Sequence, residues 1–526
     1  MSQKHSAILT ISIALVLGVV GDLTLRSGPW GLNFTIFCLL LSASLVVIRR
    51  GSKSFRASVS TALCISAFSL FFISRDSVEL QILDGLVILT LLGLNNIRAL
   101  EIPLRSSGVI HHVIGLLRLG LCFAFGPFLL LSRVTADIPT GWRRNTVGVL
   151  RGFLFAAPVL FIFIGLFSAA DANFEQLIDA ITSPPNFERV ANHVFFFLLI
   201  GWLSAGAVMS ALTWPSQASN QLKDSSDSSA ISILSTSFSK LRSELDWTRL
   251  DNNFLPRALT LGTTEISVFL GALSLLFAVF TILQLPYLFG GFAFVQSTPD
   301  LKLSEYARRG FIELSVAGAL TLPVLLKSHW LLRSDDERAK KLYRYLTCIL
   351  LILLGVIIAS AIQRLVLLTG SLGYGMTTQR FYPFVFIIWL SVVYIWFAAT
   401  VLRGARHQFA SGAFASMLVI IASLHFVNPD AFIANRNLNL FREGRDFDLA
   451  YNSKLSSDSV PVQIEVLSAL PADQKCVLED SLHKRLADLE GNSELLTFNF
   501  SRTSAIALLK SRLSQESGCP TSEKIP

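Results

Sequence analysis

The segment SEYARRGFIEL (residues 304–314) brings four charged side chains to the start of an apolar stretch. Glu305, Arg309 and Glu313 recur at every fourth position, so on a helix they share one face and neutralise each other. Arg308 points to another face, where its guanidinium can bind a phosphate or carboxylate through two parallel hydrogen bonds. The pattern predicts either an anion-binding site or a ladder of structural ion pairs.

Further polar side chains stand near the ends of other apolar segments. If these segments are membrane helices, the side chains come from separate helices at one depth and surround one interfacial site. Single members have structural alternatives, since Arg364 can reach lipid headgroups and Asp171 or His193 can hydrogen-bond between helices. The predicted binding site comprises Glu305, Arg308, Arg309, Glu313, Asp171, His193, Gln284, Tyr287, Arg364 and Arg380.

The composition indicates what kind of fold positions these residues. The chain has 526 residues, of which 52% are hydrophobic and only 15% are charged. Soluble domains carry about 25% charged residues, so the composition is typical of a membrane protein with many spans. The net charge of +8 comes from Lys and Arg between apolar segments. Without a basic stripe of interleaved aromatic residues, it predicts no nucleic-acid binding.

About twelve segments are long and apolar enough to cross a bilayer, whose core needs about 20 helical residues. Lipid-exposed backbone must satisfy its own hydrogen bonds, so the crossing segments are expected to be helices. The first one lacks a small-x-small cleavage site, and we interpret it as a retained span. The predicted spans lie near residues 7–25, 30–48, 57–74, 79–97, 109–132, 152–169, 190–212, 264–290, 310–332, 343–368, 381–402 and 409–427.

Lys and Arg in the connections between spans predict the orientation, because they favour the cytoplasmic side. The basic segments 132–151, 213–263, 333–344 and 403–408 are therefore expected in the cytoplasm. The predicted site and everything after residue 428 then lie outside.

The N-terminal quarter conflicts with this orientation. The segment 49–56 is also basic, yet three predicted spans separate it from the basic segment 132–151. Two segments on one side require an even number of crossings. Either one of the spans that carry Asp84 and Arg118 does not cross, or a basic segment lies outside. Asp84 and Arg118 either pair with each other or mark a span that does not cross.

Two polar regions divide the chain. Residues 213–263 are rich in Ser, Asp and Asn and predict a cytoplasmic linker between about seven spans (1–212) and five spans (264–427). Residues 428–526 contain three segments with helical spacing, two of which begin near Pro461 and Pro471. We therefore predict an all-α fold: a polytopic transmembrane helix bundle with a small C-terminal α-helical extracytoplasmic domain.

Six cysteines are present, four of them in apolar segments, where they are expected to be small core residues. The other two, Cys476 and Cys519, lie in the predicted outer domain. They either form a disulfide that restrains the C-terminal tail or remain two unpaired thiols, since spacing alone does not fix a bridge.

Several blocks of sequence resemble one bacterial family of multi-pass membrane proteins, catalogued as a domain of unknown function (4153/4173). The similarity runs from about residue 20 to 465, and the blocks recur in order. It implies a location in the bacterial cytoplasmic (inner) membrane and lends no reaction to any residue. The blocks are LNFTIF (32–37), RGFLFAAPVLFIFIGLFSAADANFEQLI (151–178), FTILQLPYLFGG (280–291), SEYARRGFIEL (304–314), NPDAFIANRN (428–437) and DLAYNSKLSSDSVP (448–461).

Motifs for familiar chemistry are absent from the sequence. There is no phosphate-binding P-loop, no His-Glu-x-x-His zinc motif and no nucleophile-elbow serine. His111 and His112 are adjacent and point to different helix faces, which is poor for chelation. The sequence thus predicts no metal and no cofactor, and it leaves open whether the protein is an enzyme.

Three functions fit this sequence. The protein handles an anionic lipid or lipid-linked intermediate at the outer interface, with Glu305 or Asp171 as a base if it is an enzyme. Alternatively, it is a secondary transporter with an ion path that includes Asp84 and Glu313, although no pair of broken helices supports this. In the third hypothesis it is a membrane sensor or scaffold acting through its C-terminal domain. Besides the bilayer, an anionic lipid is the expected partner.

Overall fold

The computed structural model describes residues 3–26, 28–51, 55–99, 108–134, 187–212, 260–296, 303–333, 336–369 and 375–513. These residues form sixteen α-helices and no β-strand, which confirms the predicted all-α class. In chain order the helices are α1 (Gln3–Leu25), α2 (Leu32–Ile48), α3 (Phe55–Ser74), α4 (Val78–Ala99), α5 (Val109–Val134), α6 (Phe187–Ser210), α7 (Thr263–Gln296), α8 (Leu303–Leu331), α9 (Glu337–Thr369), α10 (Thr378–Thr400), α11 (Phe409–Val427), α12 (Pro429–Arg442), α13 (Leu449–Asn452), α14 (Val460–Leu467), α15 (Ala472–Gly491) and α16 (Phe500–Arg512).

Ten of the described helices, α1 and α3–α11, are long and apolar enough to cross a membrane, and α2 is apolar but shorter. They expose large apolar side chains such as Leu63, Val268 and Ile395, as helices that face lipid do. The chain is therefore an integral membrane protein with many spans. The span predicted near 152–169 lies outside the described residues.

The N-terminal group comprises α1–α6. Within it α1 and α6 run antiparallel, and Asp22 near the end of α1 meets His193 near the start of α6. A Cβ atom placed on Gly18 would lie 2.9 Å from the carbonyl oxygen of Phe197. Glycine at this position lets the two backbones approach closely, a common device in membrane helix pairs.

The C-terminal group comprises α7–α10. Tyr343 and Tyr394, both buried, donate hydroxyl hydrogen bonds to carbonyl groups of α8. Glu265 accepts a hydrogen bond from the backbone N–H of Gly262 at the start of α7, where the helix dipole favours an acid. Glu265 therefore stabilises a helix terminus.

Helix α11 connects the two groups, because it packs against α10 on one side and against α3 and α4 on the other. The helices α12–α16, called here the C-terminal helices, follow it. They share one hydrophobic core with the bundle, in which Leu80 of α4, Phe381 of α10 and Leu424 of α11 cluster with Ile433 and Leu478. The C-terminal helices are thus built onto the end of the bundle.

The three C-terminal helices predicted from the sequence are present. Pro461 lies in the first turn of α14, where a missing N–H costs no hydrogen bond. Pro471 directly precedes α15, which ends at Gly491. Asn499 caps α16 by accepting a hydrogen bond from the backbone N–H of Arg502.

The bundle has two ends, which we call the junction end, where the C-terminal helices pack, and the opposite end. At the opposite end the buried Arg49 donates to the carbonyl groups of Asn95 and Ala211. Asn95 lies near the end of α4 and Ala211 directly follows α6, so Arg49 joins three helices at this level.

Helix α5 contacts the opposite end along most of its length. The side chain of Asn96, in the last turn of α4, donates to the carbonyl group of Gly115 at 3.4 Å. Further along α5, Leu130 is buried in a cluster with Ala7 near the start of α1 and Met209 in the last turn of α6. Both contacts involve helix termini of the opposite end, so α5 runs obliquely across that end.

Candidate functional site

A buried acid and a buried imidazole meet where the two groups of helices join. Leu80, Asp84, Val87 and Leu91 follow the helical period along the buried face of α4, so Asp84 occupies a core position. Asp84 is 1% exposed. Its Oδ1 lies 3.1 Å from Nε2 of His425 on α11, which is 4% exposed.

Each member of this pair has a second polar atom with no hydrogen-bond partner among the described residues, namely Asp84 Oδ2 and His425 Nδ1. Phe71 of α3 stacks on the imidazole with 3.9 Å between the ring centroids and 7° between the planes. Unpaired polar atoms are costly at this depth. Ionisable pairs kept inside a membrane bundle commonly carry protons or ions.

Arg75 connects this pair to the C-terminal helices. It lies in the short turn between α3 and α4. Its Nε donates to the backbone carbonyl of His425 at 2.9 Å. Its Nη1 lies 3.4 Å from Oδ1 of Asp458, in the 3-10 turn that precedes α14. One guanidinium therefore touches both the end of α11 and the C-terminal helices.

Asp458 is the central acceptor of this junction. Its side chain is 1% exposed. Its Oδ2 accepts hydrogen bonds from the backbone N–H groups of Asp76 and Ser77 at 2.8 and 3.1 Å. The carboxylate thus satisfies two amides at the start of α4, where the helix dipole also favours a negative charge.

Helix α16 holds the same turn from the other side. Asn499 donates to the carbonyl groups of Phe72 and Arg75, each at 2.8 Å. Arg502 pairs with Asp76 at 3.3 Å. Burial lowers the pKa of the Arg502 guanidinium, and the negative charge of Asp76 opposes that shift. For Asp76, burial raises the pKa, and the hydrogen bond from Ser457 and the charge of Arg502 oppose it.

A further buried acid, Asp430, lies in the first turn of α12. Its Oδ2 accepts a hydrogen bond from the backbone N–H of Ser456 at 3.2 Å, and Oδ1 has no partner among the described residues. Burial, with smaller contributions from the negative charges of Glu79 and Asp458, raises the pKa of Asp430 to about 6. The junction end thus carries an acid whose pKa lies well above that of an ordinary aspartate.

The segments 428–437 and 448–461, which resemble the bacterial family, contribute hydrogen bonds that hold this junction together. Asn437 accepts a hydrogen bond from the N–H of Met376 at 2.7 Å and donates to its carbonyl group at 3.0 Å. Asn437 also donates to Asn452, and the hydroxyl oxygen of Tyr451 accepts from the N–H of Thr378. These contacts fix the start of α10 against α12 and α13.

The predicted outer-interface site falls mostly outside the described part of the chain. Asp171 lies in an undescribed segment, and Glu305, Arg308, Arg309, Glu313, Gln284 and Tyr287 lie on helices whose side chains are not described there. Grouping of these residues therefore stays a prediction.

Three members of the predicted site are described. His193 binds Oδ2 of Asp22 through Nδ1 at 2.6 Å. Arg380 donates to the carbonyl group of Gly375 at 2.6 Å. Arg364, near the end of α9, is buried. All three lie towards the junction end, and the contacts of His193 and Arg380 secure helix ends.

Asp84 and Arg118 do not pair with each other. Asp84 binds His425, and Arg118 donates to the carbonyl group of Leu212. The sequence analysis did not predict the roles of His425, Arg75 and Asp458. The available signal was Asp84 itself, because an acid in an apolar membrane segment needs a polar partner.

The structure describes one of the two cysteines of the predicted disulfide. Cys476 takes part in a disulfide bond, whereas Cys519 lies outside the described residues, so pairing between the two stays a prediction. Cys38, Cys64, Cys122 and Cys348 are free thiols. Within the described ranges, no group of three or more His, Cys, Asp or Glu side chains is arranged to hold a metal ion.

The comparisons with known proteins identify a family for most of the chain. A family model described as "Domain of unknown function (DUF4153)" matches residues 62–466. The matched residues include Arg75, Asp84, His425 and Asp458, whereas α15 and α16 follow them. Neither a search of curated proteins nor a search of solved structures found a match.

Proposed function

The chain belongs to the DUF4153 family, whose function is unknown, and we propose that it is a proton-responsive membrane sensor. In this proposal the Asp84–His425 pair takes up or releases a proton, and the C-terminal helices respond. The observation that carries the proposal is the position of Arg75, which contacts both His425 and Asp458.

The proposed response requires two arrangements of the junction. An imidazole changes its charge at physiological pH more readily than other side chains. A changed charge on His425 alters its attraction to Asp84 and shifts the end of α11, whose carbonyl group binds Arg75. Arg75 then holds Asp458 more or less firmly. Protonation thus favours one packing of the C-terminal helices over the other.

The proposed orientation places the C-terminal helices outside the bacterial cytoplasmic membrane. Basic residues near the opposite end support it, among them Arg49 and Arg50 after α2, Arg338, Lys340 and Lys341 at the start of α9, and Arg403 and Arg406 before α11. Such residues favour the cytoplasmic side.

We further propose that α5 enters the bilayer from the cytoplasmic side without crossing it, because Gly115 near its start and Leu130 near its end both lie beside helix termini of the opposite end. The basic segments 49–56 and 132–151 then share the cytoplasmic side, which resolves the conflict in the N-terminal quarter. Single cysteines in place of Gly108 and Val134 should both react with a reagent only when it reaches the cytoplasmic side. Reaction of one from each side contradicts this arrangement.

The sensor proposal is tested by hydrogen–deuterium exchange of residues 472–512 in lipid nanodiscs between pH 5 and 8. The wild-type protein should show a pH-dependent change in amide protection of α15 and α16. In a background that carries Asp430→Asn, because Asp430 itself titrates within this window, Asp84→Asn and His425→Gln should remove the remaining pH dependence. His193→Gln is the matched control, because it alters the other Asp–His pair and should keep the wild-type response.

Retention of the response in both Asp84→Asn and His425→Gln contradicts the sensor proposal. Proton flux across vesicles that depends on Asp84 favours the transporter instead.

Handling of an anionic lipid by Glu305, Arg308 and Arg309 stays a separate prediction. Co-purification of acidic lipid that is lost in Arg308→Ala supports it.

A further inference from the structure

An apolar patch lies on the loop between α15 and α16, outside the residues that match the family. Leu495 is 82% exposed and Phe500, the first residue of α16, is 62% exposed. Leu496 and Trp30 beside them are also exposed. We call these four residues the loop patch. Large apolar side chains grouped on a surface mark a binding surface.

The loop holds this patch outward through its own hydrogen bonds. The hydroxyl of Thr497 donates to the carbonyl group of Asn492 at 2.7 Å and accepts from the N–H of Glu494 at 3.1 Å. Thr497 and Asn499 are buried. Because these polar residues point inward and are bonded there, Leu495 and Phe500 do not fold back into the core.

The depth of the loop is fixed by the membrane helices beside it. The N–H groups of Leu32 and Asn33, at the start of α2, donate to the carbonyl groups of Phe498 and Leu496 at 3.0 and 2.7 Å. Asn499 binds the carbonyl group of Phe72 near the end of α3. The loop thus lies at the level where the apolar helix α2 begins and the candidate membrane span α3 ends.

We infer that the loop patch is immersed in the bilayer leaflet at the junction end and anchors α15 and α16 to lipid. Trp is enriched at this depth because its ring is amphipathic, and Leu and Phe insert into the acyl boundary. The occupant of the patch is therefore lipid, which explains why a rigid loop presents two large apolar side chains away from the core.

The test uses an environment-sensitive fluorophore on single cysteines in the full chain. Leu495→Cys and Phe500→Cys are labelled in a background that lacks Cys38, Cys64, Cys122 and Cys348, with the disulfide of Cys476 kept oxidised. Val477→Cys is the control, since Val477 is 60% exposed and lies about 20 Å along α15 from the loop. The proteins are reconstituted in phosphatidylcholine vesicles with lipids that carry a quencher near the start of the acyl chain.

The labels at 495 and 500 should be quenched several-fold more strongly than the label at 477, and iodide in the water should quench them less. Equal lipid quenching at the three positions overturns the inference. Protection from iodide without lipid quenching also overturns it, because a second copy, another protein or another part of this chain then covers the patch. If the label at Phe500 prevents folding, Leu495→Cys alone decides the test.

Discussion

Within the described residues, two Asp–His pairs join membrane helices, and their surroundings differ. Asp84 and His425 connect α4 to α11 and are almost fully buried, with side chains 1% and 3% exposed. Asp22 and His193 connect α1 to α6, with side chains 11% and 36% exposed. Each pair has an arginine beside it, since Arg75 binds the backbone of His425 and Arg26 lies 3.5 Å from Asp22.

The two pairs differ in the further groups that each arginine contacts. Arg26 is about one-third exposed and pairs only with Asp22 near the end of α1 among the ion pairs described, whereas Arg75 contacts the buried carboxylate of Asp458. Residue types alone therefore do not indicate function. The buried pair is placed so that its charge acts on a second part of the molecule, while the exposed pair mainly links two helix ends.

The largest expected effect is that of Asp458→Ala. The substitution leaves the guanidinium of Arg75 and two backbone N–H groups without their acceptor. Removing one member of a buried ion pair costs about 3–5 kcal/mol. The free energy of unfolding of the detergent-solubilised protein should fall by about this amount, and residues 472–512 should lose amide protection first.

Asp480→Ala is the control for that experiment, because Asp480 pairs with Lys484 on the exposed face of α15. Exposed pairs contribute about 0–1 kcal/mol. Similar losses in Asp458→Ala and Asp480→Ala contradict the central role given to Asp458.

The two histidines allow the comparison to be made directly. His425→Ala leaves Asp84 without its partner in the core and should cost about 1–3 kcal/mol, the usual range for a buried group left unsatisfied. His193→Ala should cost less than about 1 kcal/mol, because its partner remains near solvent and beside Arg26. Equal shifts in the thermal unfolding midpoint show that burial does not distinguish the pairs.

Asp430 supplies a pH dependence outside the membrane segments. Its pKa is about 6 in the folded chain against the ordinary value of 3.8, so the folded state binds the proton more tightly. Stability from this group is complete below pH 3.8 and falls as pH rises through about 6. Asp430→Asn should flatten the stability profile over that window by roughly 2–3 kcal/mol. If the pH dependence of the unfolding free energy is the same in Asp430→Asn as in the wild type, another group causes it.

The smallest effect is expected for Glu265→Gln at the opposite end. The amide keeps a hydrogen-bond acceptor for the N–H of Gly262 and loses only the charge near the helix dipole. Such a charge contributes about 0.3–1 kcal/mol, and less in salt. A change in stability as large as that of His425→Ala contradicts the order of effects proposed here.

The helices were predictable because their signals are local. Apolar length predicted the membrane helices, and Pro461, Pro471 and Gly491 predicted the bounds of C-terminal helices. The junction was not predictable in this way. His425 lies 341 residues from Asp84, and no local period reports which helices meet. For the same reason, the alternative in which Asp84 pairs with Arg118 was wrong.

Only part of the candidate site could be anticipated. Asp84 was noted as an ionisable residue in an apolar segment, and the segments 428–437 and 448–461 were noted for their resemblance to a family. Their roles come from tertiary contacts, such as Asn437 on the backbone of Met376. The spacing of Glu305, Arg309 and Glu313 remains a prediction about one helix face.

The junction contacts join residues that are far apart in the sequence, so one partner is synthesised long before the other. The turn between α3 and α4 is made early, yet Asn499, which binds Phe72 in the end of α3, follows 427 residues later. At 5–20 residues per second, translation of that stretch takes about 20–90 s. Throughout this interval Arg75 and Asp76 lack their final partners. The junction therefore cannot close before Asn499 has been made, and a chain truncated before Asn499 lacks the hydrogen bonds that hold the turn between α3 and α4.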